Sequence, residues 1–150
     1  MTITDGGVYV LTGVHADDAV TITDGTLNIS KCYEGIEGQT IDISGGTIDI
    51  VSSDDGLSAA GGADQSGFGG RGPDSFGGSS DCCITISGGA IRINASGDGI
   101  DSNGWLVING GDVTAAACST SGDAGLDASM GITLNGGTVM ASGNMYDPID

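Results

Sequence analysis

The sequence predicts an all-β chain wound as a parallel β-helix, a three-sided solenoid of about six coils, and three observations carry that expectation. Six segments resemble one another: TITDGGVYV, TITDGTLNI, DISGGTIDI, TISGGAIRI, VINGGDVTA and TLNGGTVMA. Within each, apolar residues recur at every second position, the pattern of strands with one buried face. Thirty of the 150 residues are Gly, against about 7% in ordinary chains, and so much of a poor helix former argues against a helical bundle.

Self-similarity at a steady step is the signature of a repeat architecture. Anchored on Gly6, Gly25, Gly45, Gly88, Gly110 and Gly136, the copies advance by 19, 20, 43, 22 and 26 residues; the long step holds one ordinary repeat plus a Gly-rich insert near 61–80. Before each turn lie two apolar columns, Val20, Ile41, Ile84, Leu106, Ile132 and Ile3, Ile22, Ile43, Ile86, Ile108, Leu134. After it come Val8, Leu27, Ile48, Ile91, Val113, Val139, and then Val10, Ile29, Ile50, Ile93, Ala115, Ala141. A third apolar point in the copies, Ile36, Leu57, Ile100 and Leu126, supplies the third side. A β-sandwich also alternates, but nothing in it keeps identical columns in register. Residues 1–150 therefore read as one domain, with open solenoid ends because the repeat starts at Thr2 and stops soon after its last copy. The insert, with Phe68, Arg71 and Phe76, reads as a surface loop or as a flap over a ligand or a neighbouring coil.

Twenty acidic residues against three Lys and Arg give a net charge of −17. Nucleic acid is excluded as a partner, since phosphate contacts need Lys and Arg, and an anionic membrane surface is disfavoured likewise. No apolar run approaches the ~20 residues of a spanning helix, and the start lacks the basic and apolar regions of a signal peptide. Disorder does not fit a chain that is 38% apolar with sixteen Ile. The four cysteines, Cys32, Cys82, Cys83 and Cys118, lack paired CxxC spacing, so zinc is not expected. Cys32 and Cys118 share a column three rungs apart, ~14 Å, too far for an internal disulfide.

The acidic residues gather after the second strand of each copy, in HADDAV, YEGIEG, SDDGLSAA, GDGIDSNG and GDAGLDAS. Aligning the Gly before the third apolar point puts Glu34, Asp55 and Asp98 in one column and Glu37, Asp101 and Asp127 in a second. Asp54 and Asp123 fall just before the first column, Asn103 lies two residues past Asp101, and Asp17 and Asp18 match loosely. Stacked ~4.8 Å apart, two carboxylates repel by about 0.9 kcal/mol in water and about 3.5 at an effective dielectric of 20. A bound divalent cation would offset this. Ca²⁺ takes carboxylate and carbonyl oxygens at ~2.3–2.6 Å, so two ligands across one ion sit about a rung apart. The bland alternative is a set of solvated Asp turn caps. Neither the EF-hand order nor the calcium β-roll nonapeptide is present.

The stretch CYEGIEGQTIDISGGTIDIVSSDDGLSAAGG, followed past the insert by ISGGAIRINASGDGIDSNGWLVINGGDV, resembles the secreted bacterial carbohydrate-binding β-helix family, long known only as a domain of unknown function. The likeness runs from about Lys31 to Met140. It implies a right-handed β-helix related in shape to pectin lyases, an extracellular location, bound Ca²⁺, and binding of plant-type or acidic polysaccharides without cleavage. Carried across by motif, the calcium ligands fall on Glu34, Asp54, Asp55, Asp98, Asp101 and Asn103.

Three functions compete. A binding module would hold acidic sugars through Ca²⁺ and stack sugar rings on aromatics; Trp105, which opens its strand at a corner, and Tyr33 on the acidic edge form the candidate platform. An enzyme is disfavoured: a calcium-assisted lyase needs a base, and the sequence offers only Lys31, Arg71, Arg92 and a lone His15, which reads as surface decoration. A self-assembling fibre, stacked head-to-tail through open ends, is the runner-up; Tyr9 and Tyr146, near the ends, read as caps rather than as part of the aromatic platform. An ice-binding surface is poorly served by only two TxT pairs, Thr2/Thr4 and Thr21/Thr23.

Overall fold

The structure, a computed structural model, describes residues 1–60 and 79–149. The readings of Phe68, Arg71 and Phe76 lie outside the described residues. Coil one comprises β1 (Thr2–Ile3), β2 (Val8–Leu11) and β3 (Val14–His15); coil two, β4 (Ala19–Ile22), β5 (Thr26–Cys32) and β6 (Ile36–Glu37). Coil three is β7 (Thr40–Ile43), β8 (Thr47–Ser52) and β9 (Leu57–Ala59), and coil four β10 (Cys83–Ile86), β11 (Ala90–Asn94) and β12 (Ile100–Ser102). Coil five is β13 (Trp105–Ile108), β14 (Asp112–Ala116) and β15 (Leu126–Ala128), and the winding ends in β16 (Gly131–Leu134) and β17 (Thr138–Ser142).

Every strand pairs in parallel with its counterpart one coil away, making three sheets: A from β1 to β16, B from β2 to β17, and C from β3 to β15. The chain is thus a three-sided parallel β-helix of about six turns. Ile41, Ile84, Leu106 and Ile132 stack in direct register, as do Leu27, Ile48, Ile91 and Val113, and Ile36, Leu57, Ile100 and Leu126. These columns fill the bore and form one apolar core. Each fully buried Ile, Leu or Val contributes roughly 1.5–3 kcal/mol, so the fold needs few aromatics.

Glycine is required where coils touch. At the A–B corner Gly46, Gly89, Gly111 and Gly137 hold φ between 86° and 96°, a region costly for residues with a Cβ. At the B–C corner a Cβ on Gly56 would lie 2.4 Å from the Gly99 carbonyl oxygen, and one on Gly35 equally close to that of Gly56.

Two register details differ from expectation. Val8 and Val10 do not join the core columns: Tyr9 pairs with Leu27 and Leu11 with Ile29, and Val8 and Val10 are 73% and 80% exposed. The first turn has one extra residue, so Gly7 and not Gly6 occupies the place of Gly25, its carbonyl accepting the Thr26 N–H at 2.8 Å. Likewise Lys31, at φ 61°, is an extra residue in β5, and Cys32 pairs with Ser52 across the resulting irregularity. Since Val51 leads to Asn94 and Ala116, the column of Ser52 passes one residue short of Cys118, and Cys32 and Cys118 are not stacked. All four cysteines are free. At the ends, β1, β2 and β3 and β16, β17 and β15 each have one edge unpaired by any further strand among the described residues. Past β17, Met145 and Ile149 make single bridges to Ala124 and Ile132 and partly cover that end.

Candidate metal centre

The corner between sheets B and C is where the carboxylates collect. Pairing of Ile36, Leu57, Ile100 and Leu126 fixes every offset around it. Two residues earlier stand Glu34, Asp55, Asp98 and Ala124; one residue later, His15, Glu37, Ser58, Asp101 and Asp127. The predicted columns are therefore present, but Ser58 separates Glu37 from Asp101, and Ala124 ends the first column.

Of the predicted ligands, Asp55, Asp98 and Asp101 converge: each brings a carboxylate oxygen within 4.8 Å of the others, the one group of its kind among the described residues. Two of them also tie coils together. Asp55 Oδ1 accepts the Asp98 N–H at 2.7 Å, and Asp98 Oδ1 accepts the Ala124 N–H. The turn-capping role and the clustering thus coexist, because a carboxylate has two oxygens and the cap uses one.

Burial is the largest force on these groups. It pushes the Asp55 carboxyl up to about 9, with the charges of Asp101 and Asp54 adding to the shift and the Asp98 N–H opposing it. Asp98 rises to about 6, again chiefly by burial, with the Ala124 N–H opposing and the charge of Asp123 adding. The repulsion between stacked carboxylates counted from the sequence is thus the secondary effect; desolvation leads.

The other predicted ligands divide. Asp54 and Asp123 flank the trio and act on it through their charge, and Ser121 donates its hydroxyl to Asp123. Asn103 is buried past Asp101, its backbone held by Ala59 and Ser79. Asp127 stands outside the trio and pairs with Asp147: burial and a hydrogen bond shared with that carboxyl push it up to about 7, while Asp147 Oδ2 also accepts the Ala128 N–H at 3.1 Å. Asp147 was not foreseen, since it lies in the tail beyond the repeat, where only the Asp-Pro dipeptide marks a turn.

Glu34 lines a separate cleft of about 220 Å³ with His15, Cys32, Tyr33 and Glu37. His15 is no surface decoration. Its Nδ1 lies 2.6 Å from Glu37 Oε2 and its Nε2 3.3 Å from Asp17 Oδ1. A ring facing carboxylates on both sides donates to both only when doubly protonated, and the Glu37 hydrogen bond raises its pKa accordingly. The missed signal was Val14, which pairs with Ile36 and so places His15 over Glu37.

Trp105 and Tyr33, each 41% exposed, do not form one platform. Trp105 opens β13 at the C–A corner between Cys83 and Gly131, whereas Tyr33 precedes β6 at the B–C corner, three coils away.

Fold and site together define an acidic three-sided parallel β-helix with a carboxylate trio bridging two coils. No family model, curated protein or solved structure matches the chain.

Proposed function

We propose that this protein is a non-catalytic, calcium-binding β-helix that binds polysaccharide outside the cell. The observation that carries the metal is the convergence of Asp55, Asp98 and Asp101 within 4.8 Å. Oxygens spaced so are spanned by one Ca²⁺ with bonds of ~2.3–2.6 Å, and carboxylates are its preferred donors. The residues present therefore fit the ion, with Asp55, Asp98 and Asp101 holding it and Asp54 and Asp123 adding negative field. Bound there, Ca²⁺ would take up charge that burial makes costly and offer a bridge to a uronate carboxylate. The polysaccharide reading rests on the EGIEG, SDDG and GDGIDSNG motifs and on the acidic corner they build. Two of the basic groups among the described residues are placed in a way that favours binding without cleavage: Arg92 stands mid-strand on sheet B and His15 is engaged by two carboxylates.

Calorimetric titration with Ca²⁺, then with polygalacturonate and cellulose, each with and without chelator, tests this. Calcium uptake at the trio, with sugar binding and no unsaturated product, is the expected result; absence of calcium uptake at the trio, or release of unsaturated product, overturns it.

A second reading, a head-to-tail fibre, is favoured by the end strands whose outer edges no further strand pairs among the described residues and by the exposed Met145, Tyr146 and Ile149 beside one end. Light scattering at high concentration in calcium separates the two, since a monodisperse monomer excludes stacking.

A further inference from the structure

Sheet B presents a different surface from the acidic corner. Its outward residues form columns along the solenoid axis, Asn28, Asp49 and Arg92 in one and Ser30, Val51 and Asn94 in the next. Together they line a shallow groove of about 380 Å³. Asp49 and Arg92 are direct register partners of opposite charge, yet the ion pairs within 4.0 Å among the described residues are those of His15. The side chains of Asn28, Asp49, Arg92 and Asn94 also make no hydrogen bond among the described residues, whereas the stacked amides at the A–B corner do, Asn135 Nδ2 donating to Asn109 Oδ1 at 2.8 Å. The groove thus holds amide, carboxylate and guanidinium groups at rung spacing, uncommitted, around the exposed Val51.

We infer that this groove is the seat of a neutral, linear polysaccharide laid along the solenoid axis; the inference rests on the polysaccharide reading and assigns its site. Neutral sugar chains offer hydroxyls in vicinal pairs and apolar C–H faces. A carboxylate accepts from hydroxyls and a guanidinium donates to them through charge-assisted bonds, while Val51 meets a C–H face, the mixture usual in small-molecule sites. Rungs ~4.8 Å apart repeat those contacts along an extended chain. Charge selects the neutral class: Asp49 and Arg92 cancel locally, and the chain's net charge of −17 repels a polyanion wherever no calcium intervenes. Trp105 and Tyr33 lie on other corners and play no part.

The test is calorimetry of the full chain with a soluble neutral glucan and with polygalacturonate, in calcium and in chelator. The variants are the double Asp49→Asn/Arg92→Gln, which removes one charge of each sign and so leaves the net charge unchanged, Ser30→Trp, which fills the groove, and Trp105→Ala. The expected result is glucan binding that survives chelator, falls at least tenfold in the double variant and in Ser30→Trp, and is unchanged in Trp105→Ala, with melting curves like the parent. Parent-like glucan binding in both groove variants overturns the inference and leaves the polysaccharide reading standing. Binding of polygalacturonate alone, only in calcium, does the same and moves the site to the acidic corner. If the parent binds neither polymer, inference and reading fall together.

Discussion

Asp55 reaches from coil three to coil four, its Oδ1 taking the backbone N–H of Asp98 at 2.7 Å, and Asp98 repeats the gesture toward Ala124 in coil five. Each carboxylate is therefore part of the scaffold and part of the charged cluster at once. The first role fixes its position and the second makes that position electrostatically costly. Functional chemistry placed on a rigid repeat carries this tension.

The cost sets a pH dependence. An unfolded Asp loses its proton near pH 3.8, whereas folded Asp55 keeps it to about 9 and Asp98 to about 6. Between those limits the folded state binds more protons than the unfolded one, so stability falls as pH rises from about 4 to about 9 and then levels out. Calcium bound at the trio as proposed would take the ionised form and oppose the fall. Asp55→Asn keeps an oxygen for the Asp98 N–H and removes the charge. In chelator at pH 8 its Tm is expected at least about 4 °C above the parent, equivalent to roughly 1–2 kcal/mol in a chain of this size, and flatter with pH. A variant melting with the parent's pH slope would show that Asp55 does not carry the effect.

Membership of the proposed metal centre is separable residue by residue. Asp101→Asn and Asp98→Asn remove members of the convergent trio, and each is expected to weaken the tightest calcium event at least tenfold, the pair together abolishing it. Asp127→Asn breaks the proton-sharing pair with Asp147, and Glu34→Gln alters the cleft of His15; both are expected to leave that event within a factor of about 2, or roughly 0.4 kcal/mol. Calorimetry decides. Loss of calcium in Asp127→Asn would extend the site one coil upward.

His15 and Glu37 give an opposite lever. The Glu37 hydrogen bond raises the His15 pKa above 6.5, so the pair's contribution is fully present below that pH and disappears as pH rises through the folded value. Because the His15 side chain is 45% exposed, solvent screening holds the contribution below about 1 kcal/mol. Glu37→Gln is expected to lower Tm at pH 5.5 and to match the parent more closely at pH 8.5, and NMR titration of the ring should show its pKa falling toward 6.5.

The legible part of this fold is the part that a solenoid repeats. Ile41, Ile84 and Leu106 occupy equivalent positions in successive copies, so spacing alone places them in contact. The same logic brought Asp55, Asp98 and Asp101 to one corner. It failed where a copy carries an extra residue. The extra residue in the turn before Gly7 and the extra Lys31 each displace the residues after them by one position, and since strand faces alternate, one residue exchanges inside for outside. It also failed for partners beyond the repeat: Asp147 has no counterpart whose column would announce it. Trp105 and Tyr33 share aromatic chemistry but not a column, and their columns stand at different corners.

The register of the first coil is open to direct measurement. By spacing from Gly6, Val10 belongs with Ile29 and Ile50 in the core; in the fold Leu11 takes that place, packed against the core, and Val10 is 80% exposed. The two arrangements predict opposite results for two small changes. Val10→Thr puts a hydroxyl where solvent already reaches, and its cost is expected within about 0.5 kcal/mol, the range of ordinary surface substitutions. Leu11→Ala removes methyl groups from the end of the stacked Ile29–Ile50–Ile93 column. Since Leu11 is half-buried, it should cost about 1–2 kcal/mol, below the roughly 2–5 of a fully enclosed site. Denaturant melts of the two variants read the difference. A costly Val10→Thr beside a harmless Leu11→Ala would mean that β2 sits one residue back, with Gly6 in the turn position.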